Sequence, residues 1–107
     1  MDNQELKLKF EEVKSKIEQG RKENKDVSEL LKMQYELLKI GFARIKRDTT
    51  DAQFDKNPKK YATLLSYLNT MKDIAKEIPI PQMEINALEN DVKAEMKKNN
   101  IDWLLNN

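Results

Sequence analysis

A chain of 107 residues with 38% hydrophobic and 36% charged side chains has material for one modest core, and its net charge of +1 points to neither nucleic acid nor an anionic surface. The absence of both Cys and His excludes disulfide frameworks, thiolate and imidazole metal sites, thiol nucleophiles and imidazole bases together. With only 2 Gly and 3 Pro there are few obligatory breaks, which argues against a β-rich fold and for helices.

Leu6, Phe10, Val13 and Ile17 step by four, three and four, a spacing that predicts a helix over about residues 3–19 with one narrow apolar seam. Gly20 stands where a left-handed C-cap would sit, and the RKENK after it contains no apolar residue. Asp26 with Glu29 three positions on reads as a capping box, so a second helix is expected over about residues 27–47. The competing arrangement is one continuous helix over 3–47, because the seam's heptad phase runs on through Val27, Leu31, Leu38 and Ile45. That phase also puts Gly20, Asn24, Gln34 and Gly41 at seam positions, so a hairpin is preferred.

The second helix is apolar on more than one side. Leu31, Tyr35, Leu38, Phe42 and Ile45 form one stripe, and Leu30, Met33, Leu37 and Ile40 form another beside it. Such a helix requires cover from two directions. The segment that follows, DTTDAQFDKN, reads as a loop of about ten residues around Phe54, with room for a helical turn begun by Thr50.

Asn57 and Pro58 mark a new start, a cap residue followed by proline at the first helical position. Tyr61, Leu64, Leu65, Leu68, Met71, Ile74, Ala75 and Ile78 then trace one broad apolar face, predicting a core helix over about 58–78. Pro79 and Pro81 fix an extended corner around Ile80. A fourth helix is expected over about 82–98 on the seam Ile85, Leu88, Val92 and Met96, ended by Asn99 and Asn100. The apolar segment 101–105 closes the chain with its only Trp. The expected fold is all-α: a single domain over 1–107, a small bundle of about four helices joined as antiparallel hairpins, with a homodimer as a companion expectation.

Three groups of residues could carry function. Ile101, Trp103, Leu104 and Leu105 could anchor in a groove on another protein, or fold back to cap the bundle. Residues 39–60 hold 7 basic and 3 acidic side chains, and Arg44, Lys46, Arg47, Lys56, Lys59 and Lys60 near Phe54 and Tyr61 form the candidate nucleic-acid surface. Glu84, Asp91 and Glu95 share a face of the fourth helix, but lysines surround them and no EF-hand spacing exists, so a solvated face is expected rather than a metal site. Tyr35, Tyr67 and the Met residues at 33, 71, 83 and 96 fit core or rim positions better than a cofactor pocket.

No catalytic residue, cofactor or small-molecule substrate is implied. The expected function is a non-enzymatic protein–protein interaction module acting through apolar helix surface, in the manner of an adaptor, inhibitor, immunity-type protein or assembly factor. The alternative is a small nucleic-acid-binding regulator using the basic 44–60 region. The charged opening MDNQELKLKF and the lack of about 18 consecutive apolar residues lead to the expectation of a cytoplasmic protein without membrane association.

Overall fold

The computed structural model describes residues 2–48 and 57–106. Within them the chain forms four α-helices, α1 (Asn3–Lys22), α2 (Ser28–Asp48), α3 (Pro58–Ala75) and α4 (Gln82–Lys98), a short 3₁₀ turn over Asp102–Asn106, and no strand. Phe54, Lys56 and the helical turn expected at Thr50 lie outside the described residues.

Each helix start has a local cause. Asp2 caps α1 by accepting the Glu5 N–H at 2.8 Å. Before α2, Asp26 accepts from the Ser28 N–H at 2.9 Å and from the Ser28 hydroxyl at 2.6 Å, while the Val27 carbonyl takes the first helical bond from Leu31. The Asp26 side chain therefore serves Ser28 at the entry to α2. Asn57 caps α3 through the Lys59 N–H at 3.0 Å, with Pro58 at the first helical position, as its sequence implies. α3 ends at Ala75, three residues before the periodicity does, and the Ile78 N–H still reaches the Ile74 carbonyl at 3.0 Å.

The break between α1 and α2 is real, but Gly20 does not make it. α1 continues to Lys22, and the left-handed residue is Asn24, at φ 56°. The Lys25 N–H bonds to the Gly20 carbonyl and the Asn24 N–H to the Arg21 carbonyl, the paired bonds of a Schellman turn. Gly20 is needed for a different reason: a Cβ there would lie 2.6 Å from Val27 Cγ1, so glycine lets the start of α2 come close to the end of α1. The end of α4 repeats the device, with Asn100 at φ 58° and Ile101 N–H on the Met96 carbonyl. Ile101 is buried beside that turn, the apolar contact that accompanies this motif.

The core is densest around α3 and α4, where Tyr61, Leu64, Met71, Ile85, Val92 and Met96 are wholly enclosed. α1 packs on α2, α2 on α3, and α3 on α4. Leu6, Val13 and Ile17 form the buried seam of α1 as expected, with Phe10 half-buried against Tyr67 at 6.1 Å between ring centres. On α2 the first stripe is covered: Leu31, Tyr35, Leu38 and Phe42 are buried and Ile45 packs at the edge. The second stripe divides. Leu37 is buried and Leu30 half-buried, whereas Met33 and Ile40 stay 47% and 39% exposed. Gly41, between the stripes, admits the Tyr67 ring, whose Cε2 lies 2.9 Å from where a Cβ would be.

Candidate functional site

The acidic residues of α4 are structural ties. Glu84 pairs with Lys39 at 2.7 Å, and Asp91 with Lys46, so lysines seven apart on α2 meet carboxylates seven apart on α4. Glu89 pairs with Lys72 of α3 and lies 3.6 Å from Lys93. Among the described residues no cluster of carboxylates is placed to hold a metal ion. Hydrogen bonding from Lys39 holds the Glu84 carboxyl below the usual carboxylate range, and Lys72 does the same to Glu89. A carboxylate with a lowered folded pKa contributes stability that is complete above the unfolded value of about 4.3 and is lost as pH falls through the folded value. The melting temperature should therefore hold between pH 5 and 8 and drop below about pH 4.5, and replacing Glu84 and Glu89 by Gln should flatten the drop.

Glu95 sits at the centre of a partly buried network at the α3–α4 end of the bundle. Its Oε1 accepts from Lys60 Nζ at 3.1 Å and from the Tyr61 hydroxyl at 3.0 Å, and Asn99 donates to that hydroxyl at 2.9 Å. The Lys60 side chain is 3% exposed, and its ammonium lies 5.4 Å above the Tyr61 ring. Burial, with Glu95 as the next cause, raises the Tyr61 pKa.

Of the cations proposed for a nucleic-acid surface, Lys46 and Lys60 both approach Glu95, at 3.9 and 3.1 Å. Lys60 is buried, Lys46 is tied to Asp91, and Arg44 donates to Asn3 Oδ1 at 3.1 Å across the α1–α2 pair. Arg47 has an interaction of its own, Lys59 is exposed, and Lys56 falls outside the described residues. Tyr61, expected near the basic group as a stacking ring, is fully enclosed. The sequence offered the opposing signal in the 84, 91, 95 spacing, but nothing in it specified which helix that face would meet.

The C-terminal apolar segment is also divided. Ile101 is 4% exposed and belongs to the core, and Leu104 is packed against it. Trp103 and Leu105 remain 51% and 40% exposed. The segment thus both caps the bundle and presents two large apolar side chains outward from a 3₁₀ turn anchored at Ile101.

A third feature has no linear signature. A groove of about 400 Å³ runs between the first turns of α2 and the corner at residues 77–81, lined on one side by Ser28, Glu29, Lys32, Tyr35 and Glu36 and on the other by Ile78, Pro79, Ile80 and Glu84. The Tyr35 hydroxyl is buried and faces the Glu84 carboxylate, which Lys39 also holds. Burial first, and the Glu84 charge second, push the Tyr35 pKa up to about 12. Only the double-proline corner could have hinted at this site.

No family model, curated protein or solved structure matches the chain.

Proposed function

We propose that the protein is a non-enzymatic interaction module that binds another polypeptide through apolar side chains held on a helical frame. The observation that carries this reading is Trp103: the chain's only tryptophan is half exposed on a turn whose neighbours Ile101 and Leu104 are anchored in the core. Trp is enriched among the residues that dominate binding energy at protein interfaces. The frame itself is inferred to be an up-and-down bundle with neighbouring helices antiparallel, as the Arg44 to Asn3 and Lys72 to Glu89 pairings imply. A second copy of the chain is one partner that the exposed Met33 and Ile40 could equally serve. A cytoplasmic setting remains part of the proposal and rests on the charge-rich composition; among the described residues no helix is long and apolar enough to cross a membrane.

The test uses Trp103→Ser combined with Leu105→Ser. Since both side chains are about half exposed, the double variant should lose no more than about 2 kcal/mol and stay folded. Affinity capture from the source cell should lose its partner with this variant and keep it with the parent. Tryptophan emission reports the same event directly, because a single Trp contributes the signal. A blue shift on raising protein concentration identifies a homodimer, and light scattering showing a strict monomer removes it. The nucleic-acid reading is weaker because Lys46 and Lys60 are engaged by Asp91 and Glu95. Appreciable binding to mixed-sequence strands at low salt, lost on charge reversal of Lys59, would reinstate it.

A further inference from the structure

We infer that the outer face of α2 is a self-association surface, on which a second copy of the chain lays its own α2 antiparallel across a two-fold axis. The inference rests on the reading of the protein as an interaction module and names the partner of this face, but it uses residues separate from Trp103 and Leu105.

The pattern of exposure supplies a seam. α1 and α3 pack on α2, and α4 is tied to it through Lys39 and Lys46, yet Glu29, Met33, Glu36, Ile40, Ala43 and Arg47 are all left exposed. These positions step by four and three in strict alternation, the spacing of the facing positions in a two-stranded coiled coil. The stripe that begins at Leu31 serves the bundle, so α2 carries a second heptad seam that none of the described helices covers. At 1.5 Å per residue the seam is about 27 Å long. Near its middle Met33 and Ile40 are 47% and 39% exposed.

Charge selects the occupant and its direction. The seam is acidic towards the start of α2, at Glu29 and Glu36, and basic at its end, at Arg47, which also keeps an interaction within its own chain. A second α2 running antiparallel, centred midway between Glu36 and Ile40, brings Glu29 opposite Arg47 of the second copy at both ends. Met33 then lies opposite Ala43, a large side chain against a small one, and Glu36 lies opposite Ile40. The Glu36 side chain is 57% exposed there and keeps Lys39 beside it at 3.6 Å. A parallel pairing would instead set Glu29, Glu36 and Arg47 each against its own copy, three like-charge contacts.

A patch that complements itself under a half-turn closes into a dimer and does not propagate into a filament. Its apolar content is small, since Met33, Ile40 and Ala43 supply it, and exposed ion pairs add little affinity. The dimer is therefore of the weak class that forms as the chain is concentrated, with the end charges fixing direction and register. At low concentration the monomer prevails and Ile40 behaves as an exposed residue.

Sedimentation equilibrium of the full chain in low-salt buffer, from about 10 μM to about 1 mM, is expected to show the mean mass rising from that of one chain towards that of two. Glu29→Lys or Arg47→Glu alone turns both end pairs into like-charge contacts and should weaken the dimer about tenfold. The double variant restores opposite charges and should regain the parent's association, an outcome that a parallel dimer does not produce. Ile40→Glu, which faces Glu36 of the second copy, should abolish the dimer, with thermal melts showing that each variant stays folded. The Trp103→Ser and Leu105→Ser variant should associate as the parent does. A strict monomer across the range, single charge variants as tight as the parent, a double variant no tighter than the singles, or a dimer lost with Trp103 and Leu105 would each overturn the inference. The two readings fail separately, since partner capture reads the Trp103 surface and the mass of the isolated chain reads α2.

Discussion

Glu95→Leu is expected to destabilise the fold by about 3 kcal/mol, read as a lower denaturant midpoint at unchanged slope. Glu95 accepts from Lys60 and from Tyr61, and Lys46 Nζ lies 3.9 Å from its second oxygen. Removing it leaves a cation that is 3% exposed without this carboxylate and a fully enclosed phenol bonded only to Asn99. The large cost comes from taking a carboxylate away from the buried Lys60 charge, since a buried ion pair compared with a well-packed apolar pair contributes little net stability. The double variant Lys60→Met with Glu95→Leu should therefore recover much of the loss, giving a coupling of about 2 kcal/mol in the cycle. Additive losses would show that Lys60 is held chiefly by its other interactions.

Phe42→Ala should cost about 3–5 kcal/mol, a large part of the roughly 5–15 kcal/mol that a domain of this size has in all. Phe42 is 2% exposed on the covered stripe of α2, so its truncation removes a fully buried ring. Ile40→Ala, two residues earlier on the same helix, should cost only about 1 kcal/mol, because that side chain is 39% exposed. The contrast measures how completely the bundle covers α2. Equal losses at both positions would mean that Ile40 is covered in solution, which is the outcome a homodimer through the second stripe would produce.

Both expectations depend on information of a kind the sequence carries unevenly. Helix existence was plainly legible: the seam Leu6, Val13, Ile17, the Asn57–Pro58 start and the Pro79 and Pro81 corner each act within a few residues, and each appears in the structure. The ties of α4 to α2 and α3 were half legible. Glu84, Asp91 and Glu95 share a face by spacing alone, but their use as partners of Lys39, Lys46 and Lys60 required knowing that α4 lies against both α2 and α3. The convergence of Lys46 and Lys60 on Glu95 was not legible for the same reason.

Local chemistry therefore determined where this chain is helical and where it turns, because caps, prolines and apolar periodicity work through contacts three to four residues apart. Tertiary structure alone decided that Gly20 serves a close approach to Val27, that Ile101 enters the core while Trp103 stays out, and that the Tyr35 hydroxyl is buried against Glu84. Those outcomes depend on contacts between distant positions, such as Lys60 with Glu95 at a separation of 35 residues and Arg21 with Glu77 at 56. A periodic pattern specifies that a face must be covered, but the covering face is chosen by the packing of the whole chain.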